Sequence, residues 1–94
     1  MQFQHQDNGQ NGEFFSLNES GERIAEISYV WSNDQQIIAN HTWVDHSLRG
    51  QGVARQLLDA LVAFAREKHL KIIGTCSYVE LIFKRDKSLA DVVG

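Results

Sequence analysis

Apolar and polar residues alternate through the first half of the chain and switch to helical spacing in the second. Glu13-Phe14-Phe15-Ser16-Leu17 reads as a strand and Asn18 to Glu22 as a turn. Arg23 to Trp31 reads as a second strand, with Ala25, Ile27, Tyr29 and Trp31 on one face, so the two form a hairpin. Ser32-Asn33-Asp34-Gln35 breaks the alternation. Gln36 to Val44 resumes it, with Ile37, Ala39, His41 and Trp43 on one side and Ile38, Asn40, Thr42 and Val44 on the other. Residues 4–12, rich in Gln and Asn, read as a flexible lead-in or as a loop after a very short first strand.

The period changes after Asp45-His46-Ser47. From Gly52 to Lys68 the apolar residues Val53, Leu57, Leu58, Leu61, Val62, Phe64 and Ala65 share a helical stripe, with Arg55, Gln56, Asp59, Arg66 and Glu67 opposite. Lys71-Ile72-Ile73-Gly74-Thr75 is short and β-branched, as a buried strand is. Strand, helix, strand implies a right-handed crossover and a parallel pair. Ser77-Tyr78-Val79-Glu80 fits a capping box and predicts a second helix from Tyr78 to about Lys84 or Asp86, with Cys76 just outside its start. Ser88 to Asp91 opens a last turn whose Leu89, Val92 and Val93 pack back. The expected fold is α/β of the α+β kind: an antiparallel meander, a strand-helix-strand crossover and a C-terminal helix. No repeat or linker interrupts residues 1–94, which read as one domain.

Composition narrows the function. The 94 residues carry a net charge of −3 with dispersed Lys and Arg, so the clustered cations of a nucleic-acid surface are missing. One cysteine and four histidines do not make a structural zinc site, and no metal is expected. The N-terminus lacks a basic start with an apolar stretch, and no run approaches the roughly 20 apolar residues that span a bilayer. A cytoplasmic protein is expected, free of nucleic acid and membrane.

The segment Leu48-Arg49-Gly50-Gln51-Gly52-Val53-Ala54-Arg55 joins a strand to the amphipathic helix. Two glycines one residue apart permit a tight turn that exposes successive N–H groups, and the helix N-terminus adds positive potential; together they suit a phosphate or diphosphate. Arg49 and Arg55 add charge. A Walker loop would need Gly-Lys-Ser/Thr where Gly52-Val53-Ala54 stands, and a dinucleotide fingerprint would need glycine where Arg55 stands. The plainer alternative, a tight turn leading into a helix and nothing more, stays open on spacing alone.

Arg49-x-x-Gly52-x-Ala54 after a strand resembles the diphosphate-binding motif of the GCN5-related N-acetyltransferase superfamily. The wider run resembles its short, single-domain YjdJ-like branch over about residues 24–94: His41-Thr42-Trp43-Val44, Leu48 to Ala54, Lys71-Ile72-Ile73 and Cys76-Ser77-Tyr78-Val79. The resemblance implies a minimal fold of that superfamily and acetyl transfer from acetyl-CoA to a small-molecule or peptide amine, by a monomer or weak homodimer. It places the diphosphate on Arg49, Gly50, Gln51, Gly52, Val53, Ala54 and Arg55, and the pantetheine along Trp43-Val44, between that strand and Lys71 to Thr75. Gly74 stands where the family pattern has proline.

Amine acetylation needs backbone donors for the thioester carbonyl, a base for the ammonium proton and an acid for the departing thiolate. His41, expected to face inward near the end of the splayed strand, is the candidate base; the bland alternative is a core histidine. Cys76, at a helix N-terminus that favours thiolate, is the candidate acyl carrier or acid, and otherwise a small inert hydrophobe. Tyr78 is a second candidate acid, or simply helix-to-sheet packing. Trp31 and Trp43 read as core, and His5, His46 and His69 as surface or loop residues. A non-catalytic acyl-CoA-binding module is the alternative function, and a mixed disulfide between Cys76 and CoA a third.

Overall fold

The computed structural model describes residues 1–94 as a five-stranded sheet in the order β1-β2-β3-β4-β5, with two α-helices. The strands are β1 (Gln4–Asp7), β2 (Asn11–Leu17), β3 (Arg23–Asn33), β4 (Gln36–Val44) and β5 (Lys71–Gly74). The first four pair antiparallel and β4 pairs parallel with β5; the alternation predicts the pairing of β2, β3 and β4 and the crossover that of β4 with β5, while neither predicts β1. Side-chain amides and carboxylates close the hairpins. Asn18 Oδ1 accepts from the amides of Ser20 and Glu22, and Asn33 Oδ1 from that of Gln35.

The polar lead-in is itself structured. Asp7 and Asn8 side chains accept from the amides of Gly9, Gln10 and Asn11, turning β1 back onto β2. All four β1 residues are exposed, so the strand carries no hydrophobic signature.

Helix α1 (Val53–Lys68) has Gly52 at its N-cap in the left-handed region, and α2 (Ser77–Arg85) follows β5. The expected capping box does not form. Cys76 is the N-cap with no side-chain bond, and Ser77 already lies inside the helix. A 3-10 segment, Lys87–Val92, is capped by Asp86 through Ser88; Leu89 and Val92 pack back as expected, whereas Val93 stays exposed. Gly94 then donates to Ile72 O, covering the outer edge of β5. No helix is long and apolar enough to cross a membrane.

One face of the sheet carries the core. Phe14, Ala25, Ile27, Tyr29, Ile37 and Ala39 meet Val53, Leu57, Leu58, Leu61, Val62 and Ala65 of α1, and Val79, Leu89 and Val92 join the same cluster. Both helices therefore cover one face. The other bears a charged row in which Arg23 pairs with Glu13 and Glu26 and stacks 4.1 Å above the Phe15 ring.

Irregular pairing in β4 changes what that strand presents. Ser28 pairs with His41 but the next residue, Tyr29, pairs with Ala39, so Asn40 bulges out. An extra residue reverses the alternation downstream. Ile37 and Ala39 face the helices, and beyond the bulge Thr42 and Val44 take over that face. His41 and Trp43, expected inward, turn to the opposite side and are exposed.

Candidate functional site

Strands β4 and β5 hold register from Gln36↔Lys71 to Ala39↔Gly74 and then part. Ala39 O accepts from the amides of both Thr75 (3.0 Å) and Cys76 (3.2 Å), and these bonds close the last rung of the ladder. Past it, β4 runs on from Asn40 to Val44 beside a groove of about 430 Å³. Thr42, Trp43, Val44, Leu48, Arg49, Gly50, Gly52, Val53, Ala54, Arg55 and Tyr78 line it. Every sequence-predicted binding residue is there except Gln51, which is exposed and does not line the groove.

The turn owes its shape to its glycines. Gly50 (φ 84°) and Gly52 (φ 75°) are left-handed, and a Cβ at either would meet nothing within 4 Å, so the space in front of them is open. None of the amides from Gly50 to Arg55 donates to a carbonyl or side chain of the chain, and the first amide of the run that does is Gln56, bonded to Gly52 O at 3.1 Å. Four of those donors belong to any helix start; the turn adds Gly50 and Gln51. Arg49 makes no ion pair, whereas Arg55 is bound to Asp59 and Asp86. The residues present thus suit a diphosphate with an apolar arm: donors and one uncommitted arginine at one end, Val44, Leu48 and Tyr78 along the wall.

The candidate chemical groups divide between two faces. Cys76 Sγ lies 3.5 Å from Thr42 Oγ1, at the point where the strands part. Burial opposes ionisation of this thiol, but the Thr42 hydroxyl beside it and the nearby backbone amides of Val79, Tyr78 and Thr42 favour the thiolate more strongly, and its pKa is lowered. Tyr78 is the second residue of α2. Burial raises its pKa, Arg55 opposes the rise and Asp59 adds to it, so the phenol stays protonated. His41 is on the opposite face of β4, with Nε2 3.3 Å from Glu26 Oε2. The candidate base His41 and the candidate acyl carrier Cys76 are therefore not brought together: the bulge at Asn40 sends the imidazole outward, while Thr42 faces the thiol.

Sequence reading missed Thr42 and Glu26. Both become visible only with the bulge in place, since it decides which β4 side chains share a face with Cys76 and which with β3. Trp43, read as core, has 36% of its surface exposed. Gly74 takes the place of the expected proline and packs under α2, where a Cβ would lie 2.9 Å from Val79 Cγ1.

A family profile described as GCN5-related N-acetyl-transferase matches residues 14–92. No curated protein sequence matches significantly. Among solved structures, the chain is similar to a Staphylococcus aureus protein described as GCN5-like, with 33% identity, a TM-score of 0.76 and coverage of 97% of this chain and 87% of that one. Two longer proteins share the fold. A GNAT family acetyltransferase from Elizabethkingia anophelis, solved with acetyl-CoA, is 16% identical with a TM-score of 0.63, covering 81% of this chain and 52% of that one. YhbS from Escherichia coli, solved with CoA, is 19% identical with a TM-score of 0.64, covering 79% and 43%. The chain thus spans about half the length of these two.

Proposed function

The chain belongs to the GCN5-related N-acetyltransferase family, and from that premise we propose that the groove at the start of α1 binds acetyl-CoA and that the chain transfers its acetyl group to an amine. The observation that carries the reading is the run of uncommitted amides from Gly50 to Arg55, beside the point where β4 leaves β5. Bound there, acetyl-CoA supplies an activated acyl thioester. The turn amides and Arg49 hold the diphosphate, and Val44, Leu48 and Tyr78 flank the pantetheine arm.

The two faces of β4 then take separate roles. Helices α1 and α2 fill the cofactor side, so the amine approaches from the open sheet face. There His41, its Nε2 3.3 Å from Glu26 Oε2, accepts the proton that the acceptor ammonium gives up to become the attacking amine. On the cofactor side, the protonated Tyr78 phenol donates to the departing thiolate. Backbone and hydroxyl of Thr42, at the gap between the strands, exclude water and orient the acyl group beside Cys76.

A second reading follows from the lowered thiol pKa. Cys76 thiolate attacks the thioester carbon, forming a Cys76–acetyl bond and releasing CoA thiolate, and the amine then takes the acetyl group. Mass spectrometry after incubation with acetyl-CoA alone separates the routes: an acetyl adduct on Cys76 means the covalent path, an unmodified Cys76 the direct one. Thiol release from acetyl-CoA in the presence of a panel of amines and lysine peptides tests turnover. Release above the amine-free rate is expected. Binding without release under any acceptor would instead mean an acyl-CoA-binding module.

A further inference from the structure

Two arginines line the groove and the structure commits only one of them. Arg49 makes no ion pair. Arg55 donates through Nε to Asp59 Oδ1 at 2.9 Å, one turn along α1, and through Nη2 to Asp86 Oδ2 beyond the end of α2. A guanidinium offers its donors in a fixed planar fork, so a carboxylate on each side uses that fork and cancels its charge. The triad as a whole is anionic. Ser88 and Arg55 hold the Asp86 carboxyl down at about 2, which keeps it ionised at any working pH.

CoA carries two separate phosphate groups: the diphosphate bridge and a monoester on the ribose 3′ oxygen. The turn amides and Arg49 provide one set of donors. The remaining cation in the groove wall is already neutralised. Lys84 is engaged with Glu80 at 3.7 Å, and Arg85 and Lys87, which flank Asp86, do not line the groove.

We propose that the Asp59–Arg55–Asp86 triad makes this groove a reader of the diphosphate bridge and indifferent to the ribose 3′-phosphate, with Asp59 and Asp86 together the specificity-determining residues. The inference rests on the CoA reading of the groove and narrows it. Dephospho-CoA and its acyl thioesters are ligands as good as CoA and its own.

Calorimetric titration of CoA and of dephospho-CoA, at one low ionic strength, into the wild type and a D59N/D86N variant tests it. Asparagine keeps the shape, and at position 86 still accepts from the Ser88 amide, so the cap of the last segment survives. Wild-type dissociation constants are expected to agree within about threefold, because no charge-assisted contact to the monoester is made. In D59N/D86N the released Arg55 reaches the monoester, and CoA gains about five- to tenfold over dephospho-CoA. A wild-type preference for CoA beyond about tenfold overturns the proposal, and this arm decides even if the variant does not fold. Equal strengthening of both ligands in the variant also overturns it, since that is general relief of repulsion. Wild-type protein that binds neither ligand removes the CoA reading and this inference together, whereas binding with strong discrimination removes only the inference.

Discussion

Replacing Tyr29 with Phe probes the polar knot that ties β1 to the core. The Tyr29 ring is 1% exposed; its hydroxyl donates to Asp7 Oδ2 at 2.6 Å and accepts from His5 Nε2 at 2.8 Å. His5 in turn stacks on Phe14 at 4.1 Å. The substitution removes one oxygen and leaves the ring, so no cavity opens and the cost is that of the hydrogen bonds. A bond to a charged group contributes about 1.5–3 kcal/mol, discounted here to about 1–2 because Asp7 is solvent-exposed and keeps Trp31 and Gly9 as donors. For a domain this size that is a fall in Tm of about 4–16 °C.

The effect carries a pH signature. Burial raises the Asp7 pKa, but the Tyr29 hydroxyl, the Gly9 amide and Trp31 outweigh it, and the folded-state value lies below the ordinary 3.8. A depressed carboxyl contributes stability above its unfolded value and loses it as pH falls through the folded one. Urea denaturation at pH 7 and at pH 3 should therefore show a wild-type advantage that narrows at the lower pH. An advantage under about 0.5 kcal/mol at pH 7, or one that stays constant to pH 3, refutes the reasoning.

Three other outcomes follow. Arg49→Ala should weaken CoA binding about tenfold, with unfolding free energy unchanged within about 0.5 kcal/mol, because Arg49 makes no ion pair that the fold needs. Gly74→Ala should destabilise by about 1–3 kcal/mol in chemical denaturation, since its Cβ would press on Val79 Cγ1 and come within 3.2 Å of Glu80 N. His41→Asn should lower the rate of thiol release in the presence of an amine while leaving the calorimetric affinity for CoA within about twofold, because His41 stands on the face away from the groove.

Much of this architecture is written in periodicity. The meander, the apolar stripe from Val53 to Ala65 and the parallel crossover follow from local spacing, and the glycine turn is legible because glycine alone tolerates φ near 80° at two close positions. Three features escape such reading. Strand β1 is held by side-chain-closed turns and pairing, with no buried residue to announce it. The Asn40 bulge has no compositional mark, yet its one extra residue moves His41 and Trp43 across the sheet and brings Thr42 to Cys76. Arg55 looks like a free phosphate ligand in sequence, because its partner Asp86 lies 31 residues away along the chain.

The proposed function depends on the uncommitted amides around Gly52 gripping the diphosphate of CoA. Calorimetric titration of CoA into the wild type and Gly52→Asp tests it most directly. One-site binding is predicted for the wild type, and at least about 30-fold weaker binding for the variant, whose carboxylate would sit in the open space before the turn. No heat with the wild type, or an unaltered dissociation constant in a folded Gly52→Asp, would contradict the account.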